Sequence, residues 1–220
     1  MDAPDLDPVR HRRALRALQT VNLLSGTVGR IWREVTALAS GQHRPLRVLD
    51  LACGGGDVAV ALQQRADRVG LPVQVRGCDR SPVALEHARG AAAARGAAVD
   101  FFEHDALVGP LPGGYDLICC SLFLHHLSND EAIRFLKTLA SAAPAVLIQD
   151  LRRTRIGYAL AFLTLHALAR SDVARVDGLR SVAGAFTMDE VAGLARRAGV
   201  AHPRLRSCWP QRYTLSWGIS

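Results

Sequence analysis

The sequence predicts an α/β protein built on a doubly wound, seven-stranded sheet, mostly parallel, with an antiparallel hairpin at its C-terminal edge. Three observations carry that expectation. Short apolar runs alternate with amphipathic stretches from residue 46 to residue 151, a rhythm that asks for parallel strands joined by crossover helices. The first run, "VLDLACGGGDVAVAL" (48–62), breaks into three glycines where strand should hand over to helix. The chain closes on "HPRLRSCW" and "QRYTLSW", two runs separated at Pro210 that read as a hairpin. With 220 residues, 49% of them hydrophobic, the chain can fill the core of one such domain.

Each element follows in order. Residues 9–40 read as helix: Leu15, Leu18 and then Val21 or Asn22 fall at spacings of three and four, and Ile31, Val35 and Leu38 share a face further on. "SGQHRP" ends it. "LRVLDL" is a candidate parallel strand buried on both faces. "DVAVALQQRADRVG" is helical and stops at Gly70. "PVQVRGCD" is the second strand, and "SPVALEHARGAAAARG" a helix with Ser81 as N-cap and Pro82 at its first position. "AVDFFEHD" and "YDLICCSLFL" are the third and fourth strands. "NDEAIRFLKTLASA" is a helix, and "PAVLIQDL" the fifth strand.

Residues 156–185 break the rhythm. "IGYALAFLTLHALA" is an apolar helix with Ile156, Leu160, Leu163 and Ala167 at helical spacing, and an irregular stretch follows it. Thr187 and Glu190 form a capping box that opens the last helix. One domain is therefore expected over 1–220: a helical segment at 1–45, a ligand-binding core at 46–151, a helical cap insertion at 152–187, and the last helix with the edge hairpin at 188–220.

The N-terminal "MDAPDLDPVR" is acidic and lacks an apolar run, and the apolar stretch from Ile156 to Ala169 is too short to span a bilayer. A cytoplasmic protein without a membrane span is expected. Five cysteines without a CxxC spacing argue against zinc and for reduced thiols, so no metal is expected. The net charge of +7 is uneven: residues 1–150 carry 16 basic and 16 acidic side chains, residues 151–220 carry 11 and 4. Such a basic end suits an anionic substrate, nucleic acid, or simply a solvated arginine-rich surface. Aromatic residues make up only 5% of the chain, which gives no stacking platform for bases and weighs against nucleic acid. The oligomeric state is open, a homodimer included.

Gly54, Gly55 and Gly56 sit where a doubly wound sheet binds its ligand, beyond the carboxyl end of the first strand. Asp79 ends the second strand, where a carboxylate can accept bonds from both hydroxyls of a ribose. Asp105 lies just past the third strand, placed to meet an adenine amino group. Asp50, near the turn, would hold the turn itself or a ligand ammonium through water. Together they outline an adenosine pocket. "GGGDVA" also satisfies a dinucleotide pattern, which leaves an NAD(P)-dependent oxidoreductase as the alternative. The Tyr-x-x-x-Lys pair of short-chain oxidoreductases is absent, because Ile133 stands four residues before Lys137, the only lysine.

These motifs resemble those of the class I S-adenosylmethionine-dependent methyltransferases. "VLDLACGGGDVAVAL" is similar to their first motif and "GCDRSPVALEHAR" to the second. "FEHDAL" and "YDLICCSLFLHHL" are similar to the third and to the segment after the fourth strand. The resemblance covers 46–151 and the edge strand "QRYTLSW", and leaves the cap unmatched. It implies a Rossmann-like sheet with S-adenosyl-L-methionine as cofactor. Ala52 and Gly54 would then line the methionine part, and Asp79 would hold the ribose. Asp105 and Ala106 would face adenine, and Ser121 would contact the amino acid by its carbonyl. Asp50, Cys53, Gly56, Arg80 and Leu122 complete the implied cofactor set. The whole resembles small-molecule methyltransferases of the ubiquinone/menaquinone type. That implies a small phenolic, polyketide or quinone-like acceptor, O-methylated by in-line displacement, with C-methylation or RNA methylation as alternatives. In such relatives the N-terminal helices close over the cofactor, where Asn22, Arg30 or Trp32 would touch it.

A methyl on a sulfonium is already activated, so the protein mainly aligns the nucleophile. A hydroxyl acceptor profits from a base. His125 and His126, in "LFLHHL", are candidates, with His126 preferred; packing around the turn is the other reading. Asp150, in "IQDLRR", would accept a substrate hydroxyl or pair with Arg152 or Arg153. Those arginines would alternatively clamp an anionic substrate. Tyr158, Phe162 and His166 would line an apolar acceptor pocket or pack the cap.

Overall fold

A computed structural model describes residues 26–159 and 181–219. The order of elements is α1 (Thr27–Ala39), β1 (Leu46–Leu51), α2 (Asp57–Val69), β2 (Val73–Asp79), α3 (Pro82–Ala94), β3 (Asp100–Glu103), β4 (Leu117–Ser121), a single 3-10 turn (Leu124–His126), α4 (Asn129–Ala142), β5 (Ala145–Leu151), α5 (Met188–Arg197), β6 (Arg204–Cys208) and β7 (Arg212–Trp217). The seven strands form one sheet in the order β3-β2-β1-β4-β5-β7-β6. β1 pairs in parallel with both β2 and β4, so the winding reverses between β1 and β4. Ligands of open α/β sheets bind at such a reversal, beyond the carboxyl ends of the strands.

Alternation along the buried strands feeds two cores, one on each face. Leu46, Val48, Val75, Leu117 and Leu147 pack with Ile31 and Val35 of α1 and with Leu62 and Leu85 of α2 and α3. Leu49, Leu51, Ile118, Val146 and Ile148 pack on the other face with Phe135, Leu136 and Leu139 of α4 and with Leu194 of α5. Helix ends follow the local chemistry. Ser81 Oγ accepts from Ala84 N–H with Pro82 at the first position, and both Ser128/Glu131 and Thr187/Glu190 close capping boxes. The buried amide of Gln63 ties α2 to β2 by accepting from Val75 N–H at 3.0 Å and donating to the Val73 carbonyl at 3.2 Å.

Gly56 starts α2 with φ +73°, and a Cβ there would lie 2.7 Å from Ala88 Cβ and 2.8 Å from the Phe101 ring. Both the backbone sign and the close approach of α2 to its neighbours demand glycine.

Several boundaries differ from the sequence expectation. The fourth strand stops at Ser121 because Leu122 takes φ 58° and the chain turns into the 3-10 segment. The third shrinks to four residues. Only 27–39 of the expected 9–40 helix lies within the described residues, and Asn22 falls outside them. In the C-terminal hairpin, β7 lies inside against β5 and only β6 is the edge. Phe162, His166 and most of the cap lie outside the described residues. None of the described helices is long and apolar enough to cross a membrane.

Candidate functional site

The residues singled out from the sequence gather along the carboxyl edge of the sheet around the β1–β4 reversal. Ala52 and Gly54 both take left-handed backbone after β1, with φ 56° and 51°. Leu122 faces them from the end of β4 with φ 58°, held by its N–H donating to the Gln149 carbonyl at 2.9 Å. Two non-glycine residues in this region cost of order 1 kcal/mol each or more, a strain that tends to sit at ligand clamps.

Asp79 ends β2 half-buried. Its Oδ2 accepts from Gly54 N–H at 2.8 Å, and its Oδ1 accepts from Ser81 N–H at 2.9 Å. The carboxylate thus fixes the glycine turn. His104 follows β3 and donates its backbone N–H to the Asp79 carbonyl, while its buried Nε2 has no partner. Asp105 Oδ1 accepts from Leu107 N–H at 2.9 Å, which shapes the loop beneath buried Ala106. Arg80 is exposed beyond β2.

Two of the expected residues also have structural roles in the turn. The Cys53 side chain turns into the core, next to Gly77 and Phe101, and burial pushes its thiol pKa up. The Gly56 N–H is consumed inside the turn by the Cys53 carbonyl at 2.9 Å. Both residues build the turn.

Asp50 is 2% exposed, and its Oδ2 has no hydrogen-bond partner. Burial first, then the nearby charge of Asp57, pushes its pKa up to about 8 against the opposing Ala59 N–H. Ser121 Oγ is also buried without a partner. An uncompensated buried carboxylate beside a strained turn suits a ligand ammonium, so the residues present fit the amino-acid end of S-adenosylmethionine. Asp50 also sets a stability signature. Its folded pKa lies above the unfolded value of 3.8, so its contribution is full below pH 4 and is lost as pH rises through 8. In that window the cofactor-free wild type is expected to lose about 1.4 kcal/mol of stability per pH unit from this group. Asp50→Asn should flatten the slope and melt higher than wild type at pH 8, yet bind S-adenosylhomocysteine less tightly. Urea titrations at pH 5 and pH 8 check this; parallel slopes for the two proteins would contradict it.

On the far side of the reversal, Asp150 of β5 is fully buried. Its Oδ1 meets His125 Nδ1 at 2.6 Å and accepts from Leu151 N–H at 2.6 Å, and its Oδ2 accepts from His125 N–H at 3.1 Å. Burial alone would raise its pKa, but the charge and hydrogen bond of His125, with the two backbone N–H groups, bring it below the ordinary carboxylate value. Asp150 is therefore engaged by His125 and by two backbone N–H groups, and not exposed as the expectation of a substrate contact would have it. It pairs with neither Arg152 nor Arg153. Arg153 instead pairs with Glu190, and Arg152 Nη2 donates to Gln211 Oε1 at 3.1 Å. His126 is exposed, its ring 4.0 Å from that of His125. Tyr158 is 45% exposed.

A polar layer under this edge was not foreseen from the sequence. Thr27 Oγ1 accepts from Gln149 Nε2 and from Arg212 Nη1, both at 3.1 Å. Tyr213 stands opposite Asp150 in the β5–β7 register, with its hydroxyl buried and unpartnered. Arg212 is 1% exposed. In "QRYTLSW" the alternation was visible, but not that its first residues end inside the sheet at the site.

Residues 48–143 match a family described as a methyltransferase domain. A solved S-adenosylmethionine-dependent methyltransferase from Aquifex aeolicus shares the fold, with TM-score 0.66 and 18% identity over 96% of this chain and 98% of that one. A ubiquinone biosynthesis O-methyltransferase of Ralstonia nicotianae is 31% identical over 182 residues, which is 80% of this chain and 69% of the relative. The chain belongs to the S-adenosylmethionine-dependent methyltransferases. A demethylmenaquinone methyltransferase of Deinococcus radiodurans is similar too, 39% identical over 108 residues, but the alignment spans only 43% of its length and 49% of this methyltransferase. The matched stretch holds the glycine turn, Asp79, Asp105 and His125, whereas Asp150, Arg152 and Arg212 lie beyond the family match.

Proposed function

We propose that this methyltransferase transfers the methyl of S-adenosylmethionine to a hydroxyl of a small aromatic or quinone-like acceptor. The observation that carries the reading is the buried His125–Asp150 pair at the carboxyl edge, one strand from the glycine turn. When bound, the cofactor supplies an electrophilic methyl on a sulfonium. Ala52 and Gly54 hold the amino-acid part by backbone, with Asp50 toward its ammonium, and Asp79 grips the ribose. Asp105 and Ala106 face the adenine, with His104 beside them.

Asp150 accepts from His125 Nδ1–H, which fixes the tautomer with a lone pair on Nε2 and steadies the imidazolium. Nε2 takes the proton of the acceptor hydroxyl as its oxygen turns nucleophilic. A carbon acceptor would not need so firmly oriented a base, which favours O- over C-methylation. The similarity to a ubiquinone biosynthesis O-methyltransferase over most of both chains supports the same choice. Incubation with labelled S-adenosylmethionine and a panel of phenols and hydroquinones, read by mass spectrometry, tests it. A methyl ether is the expected product. Methylation on carbon would overturn the base assignment, and transfer to tRNA alone would overturn the acceptor class.

A further inference from the structure

Two arginines of the basic C-terminal third, Arg152 and Arg212, stand beside one turn at the site's edge. A cavity of about 230 Å³ opens at the β6–β7 turn, lined by Arg152, Ser207, Cys208, Trp209 and Gln211. No carboxylate lines it. Arg152 donates one guanidinium N–H to Gln211 Oε1, while its Nε is buried without a partner. Arg212, next in sequence and almost fully buried, bonds Thr27 and makes no ion pair among the described residues. Arg30 of α1 reaches across from the other side, its Nη2 donating to the Trp209 carbonyl at 2.5 Å. The charges of all three arginines bear on the Cys208 thiol. Trp209 stands 73% exposed at the rim, a large flat apolar surface on a turn where solvent would otherwise favour polar residues.

Leaving the Arg152 Nε buried and unpartnered is costly, and Asp150, whose charge reaches Arg212, is already bonded to His125. The pocket is thus short of negative charge and offers a ring a face to stack on. Its position adds a length. Strands lie about 4.8 Å apart, so the turn between β7 and β6 sits roughly 7 Å from β5, which carries Asp150, and roughly 14 Å from the β1–β4 reversal. That separation puts the cavity away from the amino-acid end of the cofactor and within one aromatic acceptor's reach of the base.

We propose that this cavity is an anion subsite that receives the carboxylate of an aromatic hydroxy-acid acceptor, with Arg152 gripping the carboxylate, Arg30 and Arg212 behind it, and Trp209 against the ring. The inference rests on the methyl-transfer reading and narrows its acceptor.

Cys208 provides a readout that needs no turnover, because it lines the cavity while the other four cysteines are buried. Its alkylation by iodoacetate and by iodoacetamide is followed by mass spectrometry in the whole protein with S-adenosylhomocysteine present. The iodoacetate-to-iodoacetamide rate ratio is expected to fall at least fivefold in Arg152→Gln and to be largely retained in Arg152→Lys. 4-Hydroxybenzoate should protect Cys208 in the wild type, and its methyl ester should not. An unchanged ratio in Arg152→Gln, or equal protection by the ester, would overturn the proposal. So would a large loss of S-adenosylhomocysteine affinity in Arg152→Gln, which would assign the arginine to the cofactor's own carboxylate. Should the wild type fail to bind S-adenosylhomocysteine, the methyl-transfer reading falls and takes the acceptor with it. The alkylation ratio, measured again without that compound, still decides whether an anion site exists.

Discussion

Asp79→Ala is expected to weaken S-adenosylhomocysteine binding by two to three orders of magnitude. Two effects add. A carboxylate accepting from two ribose hydroxyls makes charge-assisted bonds worth about 1.5–3 kcal/mol each, and about 1.4 kcal/mol is a factor of ten in affinity. The same carboxylate also holds Gly54 N–H at 2.8 Å and Ser81 N–H at 2.9 Å, so its removal frees the turn that faces the amino-acid part. Asp79→Asn separates the two. Its carbonyl oxygen can still accept from one backbone N–H, so the turn is partly kept while the charge toward the ribose is gone, and a loss nearer tenfold is expected. Calorimetric titration with S-adenosylhomocysteine measures both variants. Affinity within threefold of wild type in Asp79→Ala would remove the ribose from this residue.

The second large effect concerns turnover rather than binding. His125→Ala should lower kcat by about 10² to 10⁴, the span usual for loss of a general base, with cofactor affinity kept within a few fold. It should also lower stability, because Asp150 is fully buried and would be left ionised without its partner. Asp150→Asn leaves no unpaired buried charge. The amide no longer favours the tautomer with its lone pair on Nε2, so kcat should drop, and the neutral-pH melt should fall as well, because the amide N–H meets a backbone N–H and the stabilising charge is gone. The sign of the pH effect follows from Asp150 being held below the ordinary carboxylate value. Its contribution to stability is present above the unfolded carboxylate value and lost as pH falls below it, and Asp150→Asn should lack that acid limb. Single-turnover rates with an excess of enzyme, together with melts from pH 3 to pH 7, test both statements. A kcat within threefold of wild type in both variants would demote the pair to packing.

Much of the fold was legible because it depends on local pattern. Parallel strands buried on both faces must be short and apolar, and the helices between them must be amphipathic. "LRVLDL", "PVQVRGCD" and "PAVLIQDL" therefore announced β1, β2 and β5 with little ambiguity. Caps at Ser81 and Thr187 were readable for the same reason, since an orphan N–H and its side-chain acceptor lie within three residues. The expected fourth strand ran too long because Leu122 has no local reason to adopt φ 58°; the Gln149 carbonyl, a neighbour only in space, imposes it. For the cofactor half of the site, motif and geometry coincide, since strand-end carboxylates and glycines are fixed by the same chain that spells them.

The acceptor half was open in the sequence. "LHHL" names two histidines without ranking them, and His126 was the preferred base. Only the fold buries His125 against Asp150, 25 residues away, and leaves its neighbour exposed. The arginine excess after residue 150 was plain in the composition, yet nothing local gathers Arg30, Arg152 and Arg212 around one turn. By itself, then, the sequence determined the elements, the glycine turn and the strand-end acids beside it, because these follow from periodicity and neighbours along the chain. The tertiary structure decided which histidine is buried against a carboxylate and which arginines meet at the β6–β7 turn. Both depend on β7 entering antiparallel beside β5, and on the burial that this long-range pairing imposes.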